Sequence, residues 1–142
     1  MQRYGQRGQR QTPSLVSDQE IEQIIAGDAN KLVEVAERLG QDFAKDGQGV
    51  KKLSTSQIRN VFGEVKRLQM KGQFDQQAAR ELILLKPKLA YQAGRHDETK
   101  VPQLAEVLSN AIDRVGSDQR RFEHFVDFFE AILAYHRKHG GK

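Results

Sequence analysis

Apolar residues recur in this chain at intervals of three and four, the spacing that places side chains on one face of an α-helix. The pattern fills six stretches that are separated by glycines, prolines or short polar runs. No stretch alternates apolar and polar residues in the way that a half-buried β-strand requires. The sequence therefore predicts an all-α fold, a single helical bundle that spans residues 13–142.

Helix start and stop signals set the bounds of these stretches. The predicted helices cover residues 17–26, 28–46, 54–71, 75–93, 101–115 and 118–139. Pro87 falls inside the fourth of them, where a proline removes a backbone hydrogen bond and clashes with the preceding turn. We therefore expect this helix to be kinked or broken at Lys86, and the bundle to have five or six helices.

The length and composition limit the class of protein. A chain of 142 residues has the size of one domain, and the lack of cysteine excludes disulfides, thiolate zinc sites and cysteine nucleophiles. No apolar run approaches the roughly 20 residues that span a bilayer, and the start lacks the hydrophobic segment of a secretory signal. We expect a cytoplasmic protein that does not bind membranes. Residues 1–12, mostly Gln, Arg and Gly, predict a disordered arm before the bundle.

Charge is distributed unevenly along the chain. The net formal charge of +4 is made up of +3 over residues 1–12, −5 over 13–50, +6 over 51–100 and 0 over 101–142. The basic middle segment indicates one cationic surface, which suits an anionic partner. The acidic segment would repel that partner, so we interpret it as a candidate contact for a basic neighbour.

The basic segment contains the stretch LSTSQIRNVFGEVKRL, residues 53–68. Ser54 and Gln57 have the spacing of a capping box, and Leu53 and Ile58 have the spacing of the hydrophobic staple that flanks it. Further apolar residues continue a stripe that faces the core. Helix capping therefore explains why this helix begins with so many polar residues.

A second face of the same helix is cationic. Arg59, Gly63 and Lys66 lie in one row, with Arg67 beside it and Lys52 just before the helix. The first backbone amides of a helix have no partner within it, so a phosphate could sit between them and Arg59. Gly63 costs about 1 kcal/mol relative to alanine, and close approach of another backbone would explain it. An ordinary solvated face with a tolerated surface glycine explains the row equally well.

Residues that could support catalysis or metal binding do not form a site in the sequence. His136 and His139 can share a helical face, but no third metal ligand accompanies them. His96, Asp97 and Glu98 occupy a loop, which lacks the pocket that acid–base catalysis needs. The sequence therefore predicts that the protein is not an enzyme and binds no metal and no cofactor.

Three stretches together resemble one family. The stretches LSTSQIRNVFGEVKRL (53–68), LLKPKLAYQAGR (84–95) and FFEAILAYHRKHG (128–140) resemble the small, all-helical subunit of the type III-A CRISPR RNA-guided effector, the Csm complex. The resemblance implies an antiviral-defence protein without catalytic activity, which binds the target RNA paired with the guide RNA. The partners that it implies are further copies of the chain, stacked along the complex, and the backbone and large subunits of the effector.

The resemblance also implies which residues contact RNA. They lie within TSQIR, beside it, or in KPKLAYQAGR, and they are Lys52, Ser56, Gln57, Arg59, Lys66, Arg67, Lys86, Lys88 and Arg95. Such residues would contact phosphates, because the guide already reads the sequence by base pairing. The alternative function is a helical adaptor that binds protein but no nucleic acid. Apolar residues at 83, 84 and 91 would serve self-association if the bundle left them exposed.

Overall fold

The computed structural model describes residues 15–142, so the predicted arm at residues 1–12 lies outside the described part. The described helices are α1 (Asp18–Ala26), α2 (Ala29–Phe43), a 3₁₀ turn (Thr55–Gln57), α3 (Arg59–Met70), α4 (Gln76–Ile83), α5 (Leu85–Arg95), α6 (Val101–Val115) and α7 (Gln119–Lys138). Within residues 15–142 there are two isolated β-bridges and no strand. The prediction of an all-α helical bundle is confirmed. None of these helices is long and apolar enough to cross a membrane.

The predicted fourth helix is divided into α4 and α5. The break lies at Leu84, and Pro87 falls in the first turn of α5. A proline is tolerated there because the first backbone N–H groups of a helix have no acceptor within it. The helix must therefore restart before the proline, so the break precedes the predicted position, Lys86, by two residues. Counted as one broken helix, α4 and α5 complete a bundle of six helices within residues 15–142.

The most extensive contact in the bundle is between α2 and α7. The α7 helix supplies much of the core, since Phe122, Phe125, Phe128 and Phe129 are all buried. Gly40 lies where α2 crosses this helix, and a Cβ atom added to it would stand 2.6 Å from the backbone nitrogen of His136. Real Cβ contacts are essentially never that short, so this crossing requires glycine.

Carboxylates of the acidic segment pair with cations from the other end of the chain. The pairs are Glu22 with Arg114 and Arg121, Glu37 with Lys138, and Asp42 with Lys100. The Arg121 guanidinium hydrogen-bonds Glu22 and lowers the pKa of that carboxyl. These ion pairs connect the first two helices to the last two. The acidic segment, which we interpreted as a candidate contact for a basic neighbour, therefore pairs in part with cations of the same chain.

Candidate nucleic-acid interface

The chain that leads into the LSTSQIR stretch is held on both sides of Leu53. The Leu53 N–H donates to the carbonyl of Phe43 at 2.9 Å, and the Leu53 carbonyl lies 2.8 Å from His136 Nε2. A carbonyl oxygen only accepts, so the proton of this imidazole must be on Nε2. His136 is 1% exposed, which makes it a buried tether between α7 and the start of the candidate interface.

The polar start of this stretch is a 3₁₀ turn and not the first turn of an α-helix. The Ser54 N–H donates to Gln57 Oε1 at 2.9 Å, so the residues of the predicted capping box do interact. The α-helix itself begins later, at Arg59. A three-residue turn sums few peptide dipoles, so the dipole of this turn adds little to a phosphate site above Arg59. The Gln57 side-chain oxygen serves the turn, while Ser56 is exposed.

Three of the nine residues that the resemblance implicates are engaged in ion pairs within the fold. Lys66 pairs with Glu130 of α7, and Lys86 pairs with Asp113 of α6. Arg67 contacts Glu64 at 3.0 Å and Glu81 of α4 at 2.8 Å. The contact with Arg67 lowers the pKa of Glu81 to about 2. These three cations connect helices, which weakens the prediction that they contact RNA.

Four other implicated cations are exposed: Lys52, Arg59, Lys88 and Arg95. Within residues 15–142, no carboxylate oxygen lies within 4.0 Å of their charged nitrogens. Arg59 begins α3, whereas Lys88 and Arg95 lie on α5, which packs beside α3. The structure therefore places unpaired positive charge on two neighbouring helices.

Lys52 lies in a loop whose backbone contacts the loop after α5. The neighbouring residue Lys51 donates its backbone N–H to the Glu98 carbonyl at 2.9 Å and forms a parallel bridge with Thr99. This contact joins the loop that carries Lys52 to the loop that follows Arg95. Lys51 is itself exposed and basic, and sequence reasoning passed over it because the bridge joins segments 48 residues apart.

A groove of about 470 Å³ runs between the two helices that carry these cations. We call it the α3–α5 groove, and its lining residues are Asn60, Val61, Glu64, Pro87, Lys88, Tyr91 and Gln92. Gly63, which lies beside Asn60 and Glu64 on α3, faces open space, since a Cβ atom added to it would meet nothing within 4 Å. Within residues 15–142, no other backbone therefore comes close to Gly63. The glycine is an exposed position on α3.

Of the histidines considered above, His136 and His139 make side-chain contacts within the fold. His139 Nε2 lies 3.3 Å from Glu37 Oε2, and His136 bonds Leu53, so the two rings serve different partners. His96 lies in the loop between α5 and α6, and its backbone carbonyl accepts from the Thr99 hydroxyl at 2.7 Å. Within residues 15–142, no group of three or more potential metal ligands comes together.

Two comparisons with known proteins identify the family of the chain. The family model described as Csm2 Type III-A matches residues 26–142. A protein of Streptococcus thermophilus, described as "CRISPR system Cms protein Csm2", is 31% identical over 117 residues, which cover 78% of this chain and 92% of the relative. No solved structure matches the chain significantly. The chain belongs to the Csm2 family, the small subunit of the type III-A CRISPR complex.

Proposed function

We propose that this small subunit binds RNA without catalysis, stacking in several copies along the guide–target duplex and contacting phosphates of the target strand. The observation that carries the proposal is the set of exposed cations on α3, α5 and the adjoining loop that form no ion pair within residues 15–142: Lys52, Arg59, Lys88 and Arg95. An unpaired surface cation keeps its full charge available to a phosphate. The other effector subunits are its protein partners, and we place its activity in the cytoplasm.

Phosphate contacts suit a subunit whose complex already contains a guide. Base pairing with the guide reads the target sequence, so a stacked subunit needs only to hold the backbone. Lysine and arginine contacts of this kind release counterions from RNA, and binding therefore weakens steeply with salt and depends little on sequence. We expect the purified subunit to cleave no RNA, with or without divalent metal ions.

The implicated residues differ in what a phosphate contact would cost. Lys66, Arg67 and Lys86 would each have to give up a carboxylate partner, whereas the four unpaired cations would give up only water. Ser56 offers an exposed hydroxyl, and Gln57 would have to release the Ser54 N–H. We therefore rank the unpaired cations first, Ser56 second and the remaining residues last.

A charge-matched pair of triple variants tests this ranking. The first replaces Arg59, Lys88 and Arg95 by alanine, and the second replaces Lys66, Arg67 and Lys86, so both lose three positive charges. Affinity for a mixed-sequence RNA duplex is measured over a range of salt concentrations. We expect the first triple to reduce the slope of log affinity against log salt by about three, one per lost phosphate contact, and the second to change it little.

Equal losses in the two triples would contradict the ranking, and undiminished binding by both would contradict RNA binding at this surface. Circular dichroism of both variants checks that each is folded, which matters most for the second because it breaks contacts between helices. RNA affinity that depends on overall charge alone would show equal slopes for the two triples. The comparison therefore separates a local interface from general attraction.

A protein-only adaptor is the second candidate, and one observation favours it. Ile83 and Leu84, at the corner between α4 and α5, are 54% and 47% exposed. Exposed apolar side chains at a helix corner are typical of a protein contact, and contact between copies is the use that stacking requires. Replacing both by aspartate should reduce the mass of the self-associated species in sedimentation experiments. An adaptor without RNA binding would show this effect while the wild-type subunit bound no RNA.

A further inference from the structure

Tyr91 is an exposed aromatic ring without a stacking partner in the described residues. Its side chain is 62% exposed on α5, where it lines the α3–α5 groove. Within residues 15–142, the aromatic pairs join phenylalanines only, and the one cation near a ring is Lys138, 5.7 Å from the centre of Tyr135. The Tyr91 ring therefore presents a large flat surface to solvent.

The groove around this ring has the size and the polarity of a small-ligand site. Its volume of about 470 Å³ lies within the usual range of roughly 300–1,000 Å³ for such sites. Asn60 on one wall and Gln92 on the other carry amides, each of which both donates and accepts hydrogen bonds. The open space over Gly63 leaves the α3 side unobstructed.

The charges around the groove favour an anionic chain as its ligand. Lys88 precedes Tyr91 by three residues and Arg95 follows it by four, so the three side chains share one face of α5. Both cations are exposed and form no ion pair within residues 15–142. Glu64, the one carboxylate in the lining, lies 3.0 Å from the Arg67 guanidinium, which also contacts Glu81.

An aromatic ring between two cations is the arrangement that binds single-stranded nucleic acid, with bases stacked on the ring and phosphates held by the cations. Lys88 and Arg95 lie about 10 Å apart along the helix axis, at 1.5 Å per residue. That separation lets them contact the phosphates on either side of one nucleotide whose base has left its stack. An acidic peptide would use the cations but would leave the flat ring and the paired amides without a purpose.

We propose that the α3–α5 groove binds one unstacked nucleobase of the RNA, laid against the Tyr91 ring. Lys88 and Arg95 hold the flanking phosphates, and Asn60 and Gln92 contact the base edge. The groove does not select a base, because each amide offers a donor and an acceptor and every base has a face that can stack. This inference rests on the proposed RNA binding, and it adds a base subsite to an interface otherwise made of phosphate contacts.

The test uses the full chain and two RNA duplexes of mixed sequence. One duplex contains a single unpaired nucleotide, and the other contains an abasic residue at that position. We expect wild-type protein and Tyr91→Phe to bind the first duplex roughly 5- to 100-fold more tightly than the second, which is the range for loss of one base–aromatic stack. We expect Tyr91→Ala to bind the two duplexes equally, at the affinity of wild type for the abasic duplex.

Each of the other results would overturn the subsite in a recognisable way. If Tyr91→Ala keeps the wild-type preference while the triple variant at Arg59, Lys88 and Arg95 loses binding, RNA binding stands and the base subsite is wrong. If no variant weakens binding to either duplex, the proposed function itself is wrong. If Tyr91→Ala binds both duplexes like wild type but no longer co-purifies with another effector subunit, the groove holds a protein. Because the side chain is largely exposed, thermal unfolding should be unchanged in all Tyr91 variants.

Discussion

Two pairs of helices in this bundle meet in opposite ways. Where α2 crosses α7, the backbones are so close that Gly40 has no room for a Cβ atom. Between α3 and α5 a groove remains open, and Gly63 beside it has nothing within 4 Å. Glycine lies inside a helix in both cases. At the α2–α7 crossing it allows close packing of two backbones, and beside the α3–α5 groove it lies on an open surface.

The two regions also differ in whether their cations form ion pairs. The first two helices and the last two are joined by ion pairs such as Glu22 with Arg121 and Glu37 with Lys138. On α5, Lys88 and Arg95 have no carboxylate partner within the described chain. Cations that already stabilise the fold are poor candidates for a ligand, and cations that the fold leaves unpaired are good ones. Ion pairing thus separates Lys88 and Arg95 from Lys66, Arg67 and Lys86 on the same two helices, a distinction that net charge does not make.

The largest effect should come from filling the closed crossing. Gly40→Ala places a methyl group against the backbone of His136, which cannot move aside as a side chain can. Overpacking a tight core costs roughly 1–3 kcal/mol, and we expect about 3 kcal/mol here because the obstacle is backbone. Equilibrium unfolding in urea would measure the loss. A variant as stable as wild type would mean that α2 and α7 can separate at little cost. The α2–α7 crossing would then not require glycine.

The buried tether at His136 should be next in size. In His136→Leu the Leu53 carbonyl loses its donor, and an unsatisfied buried carbonyl costs about 2 kcal/mol. His136→Gln keeps an N–H donor in the side chain and should recover part of the stability. Hydrogen exchange of the amides in residues 53–58 should accelerate in the leucine variant more than exchange within α6. Equal stability of the leucine and glutamine variants would show that the hydrogen bond does not matter.

At the α3–α5 groove, we expect replacement of a glycine to raise the stability of the protein, whereas replacement of Gly40 lowers it. Gly63→Ala adds a methyl group where the described chain leaves space, and it restricts the unfolded chain without a clash. Such a substitution stabilises a helix by roughly 0.5–1 kcal/mol. Urea unfolding beside Gly40→Ala would show the two glycines moving stability in opposite directions. A destabilised Gly63→Ala protein would indicate close packing at this face and remove the contrast.

Local patterns in the sequence predicted the helices well. Three- and four-residue spacing predicted the all-α bundle, and the helix start predicted at residue 17 is confirmed, where Ser17 and Glu20 form a capping box with hydrogen bonds of 3.1 Å in both directions. The predictions that differ from the structure concern helix ends, where the competing helix boundaries differ by about one turn. The start of α3 tightens into a 3₁₀ turn, and the break before α5 moves from Lys86 to Leu84.

The candidate site was less predictable because pairing between helices leaves no local trace. Lys66 and Arg59 look alike in the sequence, yet Lys66 meets a carboxylate 64 residues away and Arg59 meets none within the described residues. Lys86 is a second example, since its partner Asp113 lies on another helix. Tyr91 did have a signal, its position between Lys88 and Arg95 on one helix face, but only the structure shows the groove beside it.

The smallest predicted effect tests the ion pairs at the edge of the open side. Arg67 joins α3 to α4 through Glu81 and holds the pKa of that carboxyl at about 2, below its usual value of 4.5. Because the folded-state pKa is the lower one, the contact stabilises the protein above about pH 4.5, and the stabilisation disappears as the pH falls to about 2. Glu81→Gln should therefore lower the thermal midpoint slightly at neutral pH and not at all near pH 2.

Glu106→Gln provides the matched control for this measurement, because Glu106 is an exposed helix residue that forms no ion pair within residues 15–142. Carboxylates elsewhere, such as Glu22, titrate alike in both variants and cancel in the difference. A Glu81→Gln effect that persists unchanged to pH 2 would mean that Arg67 is not held by this carboxylate. Arg67 would then keep only its contact with Glu64 on its own helix, and it would no longer count among the cations that connect helices.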